Sequence, residues 1–335
     1  QSRGLGDVYK RQPMRFVGRI DELKALEALY AKDAFQLAVI YGRRRVGKTA
    51  LISQFCANKR ALMFTAREQS AAENLHDFSQ TVYSFFNLPQ STGTFGSWQD
   101  ALSFVAEQAS LNHTEPFVFV FDEFPYAALS QKSLPSTLQI AIDHQFAATN
   151  VTMILCGSNE GFMESEVLGS KSPLFGRRNA QIRLQPFDLF DAAEMMPHDA
   201  SWEDRINYYA ALGGTPYYLQ QLNEGESLAQ NLERLCFTTS GILYSEPEML
   251  MRQELREPAV YNSILNALGA GKNTPTLIGD QAGIDRTSVS AYLKTLAQLG
   301  IVIRAVPFGQ NPATSKKGLW QFKDPVSYTH LTLPT

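Results

Sequence analysis

Gly42, Gly47, Lys48 and Thr49 fall at the spacing G-x-x-x-x-G-K-[ST], and those residue types dictate a chemistry. The glycines let successive backbone N–H groups wrap an anion. Lys48 can carry its charge to the β- and γ-phosphates of a nucleotide, and the Thr49 hydroxyl can ligate Mg²⁺. Arg43, Arg44, Arg45 and Val46 fill the loop, and Ala50 follows it into a helix whose N-terminal dipole favours the same phosphates. The stretch is therefore expected to bind a nucleoside triphosphate.

A second constellation, Asp122-Glu123, stands about 75 residues further on, directly after the apolar run Phe117-Val118-Phe119-Val120-Phe121. An acidic residue at the end of a buried strand is placed to hold Mg²⁺ through water, and its neighbour to deprotonate an attacking water. Asp122 is assigned to the metal and Glu123 to the base. Ser158 and Asn159 follow the run Val151 to Cys156, and would touch the γ-phosphate if that strand lies between the other two. Arg177 and Arg178 precede a further strand and are candidates for stabilising transition-state charge, in cis or from a neighbouring subunit.

These residues need a frame. Leu37 to Tyr41, Ala61 to Thr65, Phe117 to Phe121, Val151 to Cys156 and Ala180 to Leu184 read as strands; the runs without alternation suit a parallel sheet covered on both faces. Helical spacing recurs from about Asp21, over Ala71 to Phe86, and over Trp98 to Gln108. Val17 and Gly18, just ahead of the first helix, are candidate contacts to the nucleotide base. From Pro186 the β signals stop and short helices follow, broken by Gly213-Gly214-Thr215-Pro216. Pro216 is either a nucleotide contact or a plain helix break.

From Pro258 three helical segments precede two extended ones, Ile301 to Val306 and Gly318 to Phe322, with Gly283 as the turn before the third helix and Asp285 as its cap. That order describes a winged helix-turn-helix. Arg286, Thr287, Ser290 and Lys294 lie toward the exposed start of the third helix, where they could meet double-stranded DNA, and Lys316 and Lys317 could touch phosphate. Winged helices also serve as protein-contact modules, so a protein partner is the other expectation.

The 335 residues, 44% hydrophobic and 19% charged, suffice for two or three globular domains. A net charge of −3 supplies no global attraction to nucleic acid or membrane. The three cysteines are widely separated and read as reduced structural thiols of a cytoplasmic protein, the five histidines lack ligand spacing, and no apolar run reaches membrane-spanning length. The ends, 1–13 and 326–335, look like translated adapter sequence, which implies a C-terminal part beyond Pro325.

Taken together, FVGR, GRRRVGKT, FDEFPY, LCGSN, PLFGRR and GGTPYYL, spread over about Phe16 to Pro325, resemble the prokaryotic, largely archaeal, AAA+-like ATPases of the signal-transducing (STAND) type. The resemblance implies an α/β P-loop core over 14–185 with a parallel sheet of order 5-1-4-3-2, an α-helical lid over 186–250 and the winged helix over 255–325. It implies ATP and Mg²⁺ as cofactors and allows a homo-oligomer. Relatives often carry a PD-(D/E)XK-like domain that is missing here. The leading expectation is an ATP-hydrolysing switch coupled to the winged helix. The alternatives are an ATP-responsive DNA-binding regulator with vestigial hydrolysis and, less favoured, a small-molecule kinase.

Overall fold

The computed structural model describes residues 16–89, 91, 93–111, 115–246, 249, 252, 255, 257–311, 314–315, 317–326 and 328. The chain opens with α1 (Ile20–Tyr30), β1 (Gln36–Tyr41), α2 (Lys48–Cys56), β2 (Ala61–Thr65), α3 (Ala71–Phe85), α4 (Trp98–Leu111) and β3 (Val118–Asp122). After these come α5 (Phe124–Ser130), α6 (Leu134–His144), β4 (Thr152–Gly157), α7 (Glu160–Phe162) and β5 (Ala180–Arg183). The five strands form one parallel sheet in the order β2-β3-β4-β1-β5, which read from the other edge is 5-1-4-3-2.

Why the central strands are apolar throughout follows from that arrangement. In β3, Phe119 and Phe121 point into a core with Phe78, Trp98 and Phe124, while Val118 and Val120 point to the opposite face, against Ile154, Leu51 and Phe55. Helices cover both faces, so neither set of alternate side chains can be polar. The aromatic layer is tightly arranged, with the Phe78 ring 5.1 Å from those of Phe64 and Trp98.

Beyond the sheet, α8 (Leu189–Ala193), α9 (Trp202–Leu212), α10 (Pro216–Leu219) and α11 (Leu228–Leu232) gather around Phe187, Tyr208, Leu212 and Tyr218. Val326 is buried in the same cluster. Then follow α12 (Pro258–Gly269), α13 (Pro275–Ala282), α14 (Arg286–Gln298), β6 (Val302–Ala305) and β7 (Leu319–Phe322), the two strands antiparallel. This last unit has its own core of Ile264, Leu268, Ile278, Val289, Leu293 and Trp320. Asp285 caps α14 by accepting from the Thr287 and Ser288 N–H groups. Arg286, Thr287, Lys294 and Lys317 are exposed and Ser290 is half-buried; Lys316 lies outside the described residues, as do 1–13 and most of 326–335.

Among the described residues no helix is long and apolar enough to cross a membrane. The three cysteines are free and buried. Burial pushes the Cys56 and Cys236 thiols up to about 11, which leaves them protonated and unreactive.

Candidate functional site

Register places the chemistry at one end of the sheet. Tyr41 pairs with Gly157 and Phe121 with Leu155, so the chain leaves β1 at Gly42, β3 at Asp122 and β4 at Ser158 on the same edge, with β4 in the middle. Ligands of open parallel sheets bind outside such carboxyl ends.

The loop after β1 is shaped by backbone conformations that ordinary residues avoid. Gly42 has φ 152° and lies so close to Leu184 that a Cβ would meet its carbonyl oxygen at 2.4 Å. Gly47, at φ 94°, turns the chain into α2. Arg45 adopts φ 70°, a left-handed conformation that costs about 1–2 kcal/mol for a residue with a Cβ, and is held there by Glu246 and by stacking 4.4 Å over the Tyr217 ring. Inside the loop the Lys48 Nζ donates to the carbonyls of Gly42 at 2.7 Å and Arg43 at 3.0 Å. A cavity of about 400 Å³ opens against Arg44, Lys48, Thr49, Glu123, Pro216 and Tyr217.

This cradle fits a triphosphate and Mg²⁺. The loop, the buried lysine and the helix start supply donors for phosphate oxygens, and Thr49 lines the cavity. Among the described residues no group of three or more His, Cys, Asp or Glu could cage a metal. Asp122 is buried at the end of β3, and its Oδ1 accepts from the Glu123 N–H at 2.9 Å. Glu123 has φ 48°, a left-handed conformation uncommon for a residue with a Cβ, and lines the same cavity.

The structure redistributes several roles expected from sequence. Ser158 does not stand alone beside the loop: its Oγ and backbone N–H donate to Glu123 Oε2 at 2.9 and 3.2 Å, fixing the carboxylate. The Asn159 side chain caps α7, accepting from the Phe162 N–H at 2.9 Å, and lines a neighbouring cavity rather than the one holding Lys48. The Arg43 and Arg45 side chains run to Asp324 and Glu246, and Arg45 also lines the cavity. Pro216 does line the cavity, 3.7 Å from where a Cβ on Gly47 would sit. Val17 is buried and Gly18 packs against Phe187 and Asp191. Arg19 ties this lead-in to the loop by donating to the Val46 carbonyl at 3.2 Å and the Gln185 carbonyl.

Arg177 is a clear departure. Its guanidinium pairs with both oxygens of Asp143 at 2.7 Å and donates to the Pro173 carbonyl, so in this structure it braces a turn instead of facing the cavity. Arg178 lies 5.8 Å over the Phe175 ring. The Arg177 hydrogen bonds hold the Asp143 carboxyl down at about 2. Since that lies below the unfolded value of about 3.9, the pair stabilises the fold above pH ~4, and the benefit disappears as pH falls toward 2. Thermal midpoints of the protein and of Arg177→Ala are therefore expected to differ by a constant amount above pH ~4.5 and to converge below it. A gap that stays unchanged down to pH ~2.5 contradicts the pairing.

Sequence reasoning missed Tyr126, Tyr217, Glu246 and Asp324. The first two sat in quoted motifs, FDEFPY and GGTPYYL, whereas nothing local marked the two carboxylates.

Comparison with known proteins agrees with this geometry. Residues 16–222 match a family described as an ATPase domain predominantly from Archaea. The Methanocaldococcus jannaschii protein MJECL04 is 30% identical over 311 residues, 92% of this chain, and the chain spans 66% of that protein's length. Among solved structures, the Walker-type ATPase PABY2304 of Pyrococcus abyssi superposes with a TM-score of 0.68 at 22% identity, covering 95% of this chain and 96% of its own. The Aeropyrum pernix ORC2 protein, solved as ADPNP and ADP complexes, gives 0.63 at 14% identity, with 96% and 94% covered. At these identities the two structures establish the fold, that of P-loop ATPases.

Proposed function

Because the chain belongs to the family of ATPase domains found predominantly in Archaea, we propose that it is a Mg²⁺-dependent ATP-binding and ATP-hydrolysing switch, in which the phosphate loop reports nucleotide state to a helical lid and a C-terminal winged helix. Lys48 and the loop N–H groups hold the phosphates, Thr49 and Asp122 hold Mg²⁺, and Glu123, aimed by Ser158, takes the proton of the attacking water. When bound, Mg²⁺ neutralises charge on the phosphate oxygens.

One observation carries the switch: the loop that receives the phosphates is itself clasped to both downstream units. Arg43 Nη1 donates to Asp324 Oδ1 at 3.1 Å across 281 positions, just after β7. Burial would lower the Arg43 pKa, but Asp324, the Tyr218 hydroxyl and Glu160 outweigh it, and the guanidinium stays firmly charged. Arg45 pairs with Glu246, which also accepts from the Tyr218 hydroxyl at 3.0 Å. Any shift of the loop on binding phosphate therefore moves ionic partners in the lid and at the end of the C-terminal unit.

Hydrogen exchange over residues 258–322, with and without Mg²⁺ and ATP, tests the coupling. ATP is expected to change exchange there by roughly tenfold, and Asp324→Ala to bind ATP yet lose the change. Identical exchange in both nucleotide states of the unmodified protein sinks the reading. A second reading, an ATP-responsive DNA-binding regulator, is favoured by the exposed Arg286, Thr287 and Lys294 along the start of α14. It requires duplex binding that weakens steeply with salt and is lost in Arg286→Ala.

A further inference from the structure

We infer that the chain associates head to tail with a second copy of itself, the β6–β7 hairpin of one copy docking on the outer face of α8 and α9 of the next.

The first face lies on the helical unit after the sheet. Phe190, Trp202 and Ile206 are 71%, 57% and 52% exposed. Trp202 and Ile206 stand four positions apart on α9 and so share one side of it, and the Phe190 ring meets that of Trp202 edge-on at 6.2 Å. The segment that carries them is acidic: Asp188, Asp191, Glu194, Asp199, Glu203 and Asp204 fall within 17 positions that hold no lysine or arginine. Asp188, Glu194, Asp199 and Glu203 among them are exposed. The next cation, Arg205, lies 5.6 Å over the Trp202 ring and donates to the carbonyls of Ala193 and Ala200.

The second face belongs to the C-terminal unit. In the antiparallel register Ile303 pairs with Gln321 and Ala305 with Leu319, so these four share the side turned away from the buried Val302 and Trp320. Ile303 and Leu319 are 41% and 44% exposed. Just beyond β6 the Gln310 N–H donates to the Pro307 carbonyl at 3.1 Å, and this tight turn leaves Phe308 fully exposed. From Val302 to Lys323 the charged residues are Arg304, Lys316, Lys317 and Lys323, with no carboxylate among them.

Charge decides which face meets which. Exposed aromatic and aliphatic groups gain by leaving water, and that gain has no preferred partner. Pairing two acidic faces sets carboxylate against carboxylate, and pairing two hairpins sets cation against cation. Only the acidic face against the hairpin brings unlike charges together around apolar centres. Both faces are exposed in the single chain, so the chain does not satisfy its own pair. A contact between two different faces is heterologous and passes from copy to copy as a ring or a filament.

Sedimentation velocity of the full chain over roughly 5–200 µM at low salt tests the assignment. The mean mass is expected to rise with concentration. Trp202→Ala and Phe308→Ala are each expected to weaken association roughly tenfold or more, and Glu203→Lys roughly threefold. Unchanged circular dichroism and thermal midpoint show that each variant is folded, and Phe308, wholly outside the core, gives a variant whose fold is not at stake. Trp202→Ala keeps its hairpin and Phe308→Ala keeps its acidic face, so mixing the two is expected to restore association at the unmodified strength but to stop at pairs. A chain that stays monomeric over the whole range overturns the proposal and leaves these faces to another protein. Association of either variant at the unmodified strength, or a mixture that recovers nothing, overturns it as well. Loss of duplex DNA binding in Phe308→Ala with association intact overturns it by assigning the hairpin to nucleic acid.

Discussion

Lys48→Ala is expected to lose ATP binding by roughly 10²-fold or more and to reduce turnover below detection, since charge-assisted contacts to the β- and γ-phosphates are the strongest the loop can make. Lys48 is 7% exposed and already sits among loop carbonyls at 2.7 and 3.0 Å, the geometry of a side chain held within the cradle rather than free in solvent. Removing it also deprives two carbonyls of a donor, at a cost of about 1–3 kcal/mol if they stay dry. Lys48→Arg is the companion variant: it retains charge but is bulkier and differently shaped, and is expected to keep the fold while still failing to turn over. Titration with a fluorescent ATP analogue and a phosphate-release assay read both effects. Hydrolysis by Lys48→Ala at the unmodified rate would falsify the nucleotide-site assignment.

The second large effect falls on Glu123, the proposed base. Glu123→Gln is expected to bind ATP with near-normal affinity while kcat drops roughly 10²–10⁴-fold, the usual contribution of a positioned general base. The substitution separates chemistry from structure. A glutamine oxygen can still accept from the Ser158 hydroxyl and N–H, now 2.9 and 3.2 Å from Glu123, so the side chain stays where it is but can no longer take a proton. Single-turnover kinetics beside equilibrium binding distinguish the cases. Equal losses in binding and turnover would mean that Glu123 holds metal or loop rather than the proton.

The two expectations differ in how visible they were. Lys48 lies in a motif whose whole meaning is local: glycine conformations, a lysine and a hydroxyl within one turn of chain, opened by an apolar strand and closed by a helix. The strands were equally legible. Phe117 to Phe121 lacks alternation because both of its faces are covered, and β3 occupies Val118–Asp122, within a residue of the expected span. The cap at Asp285 was visible for the same reason, its hydrogen bonds reaching only two and three residues ahead.

What could not be read was where each arginine goes. The loop carries three in succession, chemically identical, and they diverge: Arg43 to Asp324, Arg44 to Tyr126, Arg45 to Glu246. Arg177, plausible as a catalytic group beside Arg178, is engaged by Asp143 from α6. Ser158 touches Glu123 because β4 enters the sheet beside β3, bringing together residues 35 positions apart. Periodicity, capping and phosphate loops are written into neighbouring residues and survive without a fold, so sequence reveals them. The partner of a long charged side chain is chosen by strand order and helix packing, which bring the ends of distant segments within a few ångströms, and only the tertiary structure makes that choice.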